Sequence, residues 1–204
     1  MQLKRADVVT GALALLDSDG LDGLTMRKLG ARLGVRAGAI YWHFKDKDAL
    51  LGAMADRIVG QATETPLAAG RWDAQLSELG HRMRRALLAH RDGARVVAGT
   101  HVAEPNTVRG SEQAARILTD AGFPLDRAGW VIFAALYYVL GHTIEEQAQR
   151  AAGDWEQRGA GLPDTEPHRA LDAAIKADPE ERFAYGLELF LDGVRLRIAA
   201  TDRQ

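Results

Sequence analysis

Residues 25–51, TMRKLGARLGVRAGAIYWHFKDKDALL, decide how the rest of the chain is read. Thr25 is placed to cap a short helix, behind which Met26, Leu29 and Leu33 recur at helical spacing. Gly34 supplies the permissive backbone of a sharp turn, and Val35 fills the angle it makes. Arg36 to Phe44 forms a second short helix. Asp46 caps a third, which runs through Leu50, Leu51, Met54 and Ile58. Two short helices crossing steeply at a glycine turn make a helix-turn-helix, whose second helix has the dimensions of a DNA major groove.

Charge follows the same division. Residues 1–47 hold eight Lys and Arg (Lys4, Arg5, Arg27, Lys28, Arg32, Arg36, Lys45, Lys47) against five Asp, a surplus of three. The whole chain carries −2, so the remainder carries −5. A basic end on an acidic body suits a protein of which one end meets phosphates. A solvated charged helix surface would produce a similar cluster, so the motif, not the charge, carries the reading.

Outward from the motif, helical periodicity continues and no segment alternates apolar and polar residues long enough for a strand. The expected fold class is all-α: a head over residues 1–60 and a helical body over 61–204. In the head, Val9, Ala12, Leu13 and Leu16 form the first helical stripe, ended by Asp19-Gly20. Leu13, Leu16, Leu29, Leu33 and Ile40 are the expected core. The body reads as helices over 72–90, from 94, 107–121, 126–150, 169–177 and from Pro179, with a mobile loop at Gly153 to Pro167. The last helix carries Phe183, Leu187, Phe190, Leu191 and Val194 on one broad face, which predicts a homodimer interface. With no cysteine, disulfides and thiolate metal sites are excluded. The N-terminus has no apolar signal region, and Trp130 to Leu140, the longest apolar run, is far short of the ~20 residues of a membrane span. A cytoplasmic protein with no membrane partner is expected.

LTMRKLGARLGV followed by IYWHFKDKDALL resembles the DNA-binding head of the TetR family of bacterial repressors, most specifically in Tyr41-Trp42, His43-Phe44 and Lys47. ALLAHRDGARVVAGT (86–100), LGHTIEEQ (140–147) and FAYGLELFLDGV (183–194) resemble the tetracycline-repressor branch of that family. The resemblance implies a dimeric repressor that binds double-stranded operator DNA, with half-sites about one helical turn (~34 Å) apart, and that is released by a small-molecule inducer. It assigns base contact to Arg27, beside Arg36 at the start of the recognition helix, and phosphate contact to Tyr41, Trp42 and Lys47, with Thr25 able to donate its hydroxyl. His43 packs or bonds to phosphate, with base reading as the alternative. Ala37, Gly38 and Ala39 stand where the tetracycline repressors carry polar or proline side chains, so a different operator is implied.

In the body, the resemblance puts Val97 where those repressors place a metal-binding histidine, Leu79 and Met83 where they grip the drug, and His101 and Val102 at their induction turn. Tyr137 replaces a further histidine, while Gln113 and Glu145 are retained. A pocket with no metal and no cofactor is therefore expected, lined by Leu79, Met83, Val97, His101, Gln113, Trp130, Phe133, Tyr137, His142 and Glu145. It would suit a flat, apolar, partly oxygenated ligand. Trp130, Phe133 and Tyr137 could equally be core at helical spacing. His142 and Glu145 at i and i+3 could bind a metal only with a second such pair, which the sequence lacks. No catalytic residues are assigned: His90-Arg91-Asp92 mimics a kinase triplet without its context, and neither a nucleophile elbow nor a P-loop occurs. The alternatives are a ligand-free regulator whose body docks a protein partner, or a helical enzyme using Glu145 or His142.

Overall fold

The structure, a computed structural model, describes residues 3–100, 104–153 and 165–201. Among these the chain forms α1 (Arg5–Gly23), α2 (Met26–Leu33), α3 (Ala37–Tyr41), α4 (Lys47–Thr63), α5 (Trp72–Leu88), α6 (Gly93–Ala98), α7 (Pro105–Asp120), α8 (Leu125–Ala152), α9 (Glu166–Lys176) and α10 (Pro179–Thr201), with no strand. Most of the expected loop after Gly153 lies outside the described residues.

Local chemistry accounts for the boundaries. The Thr25 hydroxyl oxygen accepts from the Lys28 N–H at 3.2 Å, and an Asp46 carboxylate oxygen accepts from the Ala49 N–H at 2.7 Å, capping α2 and α4. Gly34 closes α2 in the left-handed region (φ 68), as its position at the turn requires. The recognition helix α3 is shorter than expected, because Arg36 is its N-cap and the chain leaves the helix after Tyr41. The helical path of α1 breaks where the sequence places its end, at Gly20 (φ 74), and a last short stretch continues to Gly23.

Gly30 was not singled out by the pattern, yet it sets how closely α2 and α3 meet. A Cβ there would stand 2.9 Å from the Val35 carbonyl oxygen and 3.2 Å from the Ala37 nitrogen, both backbone atoms. The Gly30 carbonyl also accepts from the Val35 N–H at 2.9 Å. Beneath this turn, Leu16, Leu29, Ile40, Phe44 and Leu50 are buried from α1 to α4, while Leu33 is only partly buried. Arg5 lies over the Phe44 ring at 4.4 Å.

That core does not end at the head. It continues along α4 through Met54, Ile58 and Ala62 into Leu87, Val96, Val139, Leu140, Phe183, Leu187 and Leu191. A smaller cluster of Leu118, Phe123, Ala128, Val194 and Ile198 closes the far end of the body. The expected dimer face is thereby corrected. Phe183, Leu187, Leu191 and Val194 lie inside their own subunit, and Phe190 is half-buried. The 23-residue α10 is apolar on two sides, and the body is large enough to bury the first of them. The second side, Tyr185, Leu189 and Leu196, is exposed, as are Leu125, Trp130, Phe133 and Tyr137 on α8.

One ionic cluster ties α5, α8 and α10 together. Arg84, 4% exposed, donates through Nε and Nη2 to the two oxygens of Glu146, 1% exposed, each at 2.9 Å. Arg84 also donates to Glu180 and lies over the Phe183 ring at 5.2 Å, and Arg150 donates to Glu146 at 2.6 Å. His142 sits against this cluster, its Nδ1 3.8 Å from Glu146 and its ring edge-on to Phe183 at 5.2 Å. Burial, assisted by the Arg84 and Arg182 charges and opposed by Glu146 and Glu180, holds its pKa below the ordinary 6.5.

Gly30→Ala should destabilise the chain by ~1–3 kcal/mol, because only backbone atoms stand in the way of the new methyl. Gly38→Ala, which meets nothing within 4 Å, should be neutral or slightly stabilising, since alanine favours the helix. Thermal denaturation distinguishes them, and equal Tm values would refute the close helix crossing. For His142 the sign is set by its depressed folded pKa: the unfolded chain takes up the proton first, so stability falls as pH drops through 6.5. His142→Gln should therefore lose less Tm than the wild type between pH ~7 and ~5.5. Parallel curves would mean that His142 is not held neutral.

Candidate functional site

Two candidate sites emerge, one on the surface of the head and one inside the body. On the head, Arg27 is exposed at the second residue of α2, Arg36 is exposed at the N-cap of α3, and Lys47 opens α4. Two neighbouring cations are engaged: Lys28 bonds to Asp19 at 2.6 Å and holds that carboxyl below its usual range, and Lys45 stands 3.8 Å from Asp46. Among the described residues Arg27, Arg36 and Lys47 have no ion pair, so their charge is directed outward. Trp42 is 89% exposed and Tyr41 51%, a large desolvation gain left unused within the subunit. Thr25 spends its oxygen on the Lys28 N–H and keeps its hydroxyl hydrogen free for an acceptor such as phosphate. His43 is partly buried. Ala37 and Ala39 are partly buried and Gly38 is exposed, with nothing within 4 Å of its Cβ position, so mid-helix contacts there are made at the level of the backbone. The structure thus brings the ten head residues singled out by sequence to one end of the molecule, on α2, α3, the turn after it and the start of α4.

Inside the body, a cavity of about 600 Å³ lies among α4, α5, α6, α7, α8 and α10. Leu79, Met83, Val97, Phe133 and Tyr137 line it, as expected. Gln113, Trp130, His142 and Glu145 do not. Trp130 is 75% exposed, and Glu145 falls on the same outward stripe of α8 as Trp130 and Gly141. His142 belongs to the ionic cluster, and Gln113 is only partly buried on α7, outside the lining. His101 lies outside the described residues. Helical periodicity could not separate the inner side of α8 from its outer side, since both are apolar.

Most of the cavity wall is aliphatic or aromatic, from Val59 on α4 through Leu76, Leu118, Ile132 and Leu136 to Phe190 on α10. The polar wall residues are Thr63 at the end of α4, Thr100 after α6, and Thr107, Ser111 and Glu112 on α7. Each of the four hydroxyls donates within the protein: Thr63 to the Gly60 carbonyl (3.3 Å), Thr100 to Val97 (3.0 Å), Thr107 to an Asp56 carboxylate oxygen (3.2 Å) and Ser111 to the Thr107 carbonyl (3.0 Å). With the hydrogens so used, the oxygens present lone pairs, and the wall is an acceptor surface. Sequence reasoning missed this wall because threonine and serine on helices are common and carry no spacing signal. Among the described residues no group of three or more His, Cys, Asp or Glu could hold a metal ion, and no helix is long and apolar enough to cross a membrane.

Comparison with known proteins matches both ends of the chain. Residues 8–54 fit the family described as bacterial regulatory proteins, tetR family, and residues 65–198 fit the tetracyclin repressor-like C-terminal domain. The class C tetracycline repressor protein of Escherichia coli is 38% identical over 211 residues, covering 98% of this chain and 95% of the relative. A possible TetR family transcriptional regulator from Streptomyces coelicolor A3(2) superposes with a TM-score of 0.86 at 39% identity, covering 95% of this chain and 99% of that one. A TetR variant from Acinetobacter baumannii AYE, solved in complex with minocycline, superposes with a TM-score of 0.77 at 37% identity, covering 96% and 98%.

Proposed function

The chain belongs to the TetR family of bacterial DNA-binding regulators, and from that premise we propose that it is a non-catalytic, homodimeric repressor, working in the cytoplasm, that an apolar ligand releases from a palindromic operator. In this reading residues 1–60 form the DNA-binding domain and residues 61–204 the ligand-binding and dimerisation domain. The observation that carries it is the pairing of outward, unpaired cations on the helix-turn-helix with an apolar cavity whose wall includes the helix that leaves that motif. Arg27 is the base reader, since arginine can reach guanine O6 and N7 together, while the small residues 37–39 let the helix sit close in the groove. Tyr41, Trp42, Lys47 and the Thr25 hydroxyl hold phosphates and fix the register.

The ligand is mostly apolar and aromatic, as the Phe133, Tyr137 and Phe190 surfaces favour. It carries a hydrogen-bond donor, such as a hydroxyl, directed at the acceptor wall of Thr63, Thr107 and Ser111. Gln113 and Glu145, expected in the lining, lie outside it, so this wall supplies the polar contacts. Valine at position 97 has no lone pair for a cation, so the ligand binds without metal. Ligand shifts the population of head geometries only to the extent that it prefers the non-binding one. A coupling of ~1–3 kcal/mol corresponds to roughly 5- to 150-fold release. The second subunit packs on the exposed stripes of α8 and α10, which makes a four-helix contact and covers apolar surface that would otherwise face water.

Arg27→Ala should cost ~1–3 kcal/mol of operator affinity and relax preference at one base pair per half-site, whereas Lys47→Ala should weaken all sequences alike and lower the salt slope by ~1. Binding to randomised duplexes measures both, and intact base preference in Arg27→Ala would exclude it as the reader. Leu189→Asp puts a charge on the exposed stripe of α10 and should yield folded monomers with weak operator binding. A variant that still sediments as a dimer would rule out that stripe as the interface.

A further inference from the structure

Midway along α4, Asp56 is bonded to the start of α7, fifty residues away in sequence. Its Oδ1 accepts from the Asn106 N–H (2.9 Å), the Thr107 N–H (2.9 Å) and the Thr107 hydroxyl (3.2 Å), and its Oδ2 accepts from the Asn106 side-chain amide at 2.8 Å. The same amide donates to the Asp56 carbonyl at 3.3 Å. The first turn of a helix has N–H groups without intrahelical partners and carries the positive end of the helix dipole. The N-cap of α7, Glu104, makes no side-chain capping bond, and Pro105 follows it. The cap of α7 is therefore supplied by another helix.

Packing beside this clasp is equally close. A Cβ at Gly60, one turn further along α4, would stand 2.9 Å from the Asn106 amide nitrogen, and one at Gly110 on α7 would stand 3.3 Å from the Thr63 methyl. Contacts at three successive levels of the crossing leave little room for the two helices to slide independently. Val59 and Thr63 of α4 and Thr107, Val108 and Ser111 of α7 all line the cavity. At its other end α4 buries Leu50 and Met54 in the core it shares with the helix-turn-helix.

We infer that Asp56 is the coupling residue of this regulator: an occupant of the cavity displaces the α7 wall, and the Asp56 clasp passes that displacement to α4 and so to the head. The inference rests on the ligand-responsive reading above. Asp56 is a positioning residue that touches neither ligand nor DNA, so its removal uncouples two functions that each persist alone.

The absence of cysteine makes the test specific. Ser111→Cys places a single thiol on the cavity wall, where benzyl methanethiosulfonate forms a mixed disulfide, expels methanesulfinate and leaves an aromatic ring in place. Operator affinity is then measured before and after labelling, on a duplex selected from a random pool, with mass spectrometry verifying full modification. Labelling should weaken binding by Ser111→Cys at least about fivefold, reversibly with dithiothreitol, and by less than about twofold once Asp56→Ala is added. Asn106→Ala, which removes only the side-chain donor and keeps the α4 carboxylate, should act in the same direction and serves if Asp56→Ala does not fold. Equal weakening with and without the clasp would overturn the role of Asp56 while leaving the ligand reading intact. Full operator affinity of the labelled single variant would overturn the cavity reading and the coupling with it.

Discussion

One continuous core runs along α4 from the helix-turn-helix into the body, and the arrangement of both sites follows from that constraint. Near its start α4 supplies Leu50 and Met54 to the pocket closed by α1 and α2, and beyond them Ile58 and Ala62 join the body. Close-packed interiors shift between discrete arrangements more readily than they deform, so a displacement of one end of α4 has to appear at the other. The cavity opens along the side of this helix, at Gly52, Ala55, Val59 and Thr63. Small residues there let an occupant approach the helix axis itself.

The electrostatic layout serves the same division. Cations that stabilise the fold are paired: Lys28 with Asp19, Arg84 with Glu146, and Arg195 with Asp73 at 2.8 Å. Asp73, almost fully buried, is held far below the ordinary carboxylate range chiefly by its bond to Arg71, with Arg195 adding to it. Arg27, Arg36 and Lys47, by contrast, are unpaired within the described residues and sit on the end of the molecule that also exposes Trp42.

How much of this was legible in the sequence depended on whether the signal was local. Thr25, Gly34 and Asp46 act on residues within four positions of themselves, and the structure finds each in its expected cap or turn. The cavity was legible in part, since Leu79, Met83, Val97, Phe133 and Tyr137 line it. Where a helix is apolar on two sides, periodicity identifies the stripes and not which of them faces inward. That ambiguity put the buried stripe of α10 on the expected subunit face, and Trp130 and Glu145 in the cavity. The Asp56 clasp and the Gly30 contact were invisible for a different reason: each joins elements through geometry that no spacing rule encodes, and the clasp spans fifty residues.

The buried Arg84–Glu146 pair has a further effect on how the body can move. Sliding α5 past α8 by one helical turn, ~5.4 Å, would strand two charges in a medium that solvates neither, a penalty of several kcal/mol. The block of α5, α8 and α10 is thereby keyed to one register, whereas α4 and α7 are held to each other by the Asp56 clasp and would move as a pair. The body thus has a stator and a moving part, and the cavity lies on the seam between them.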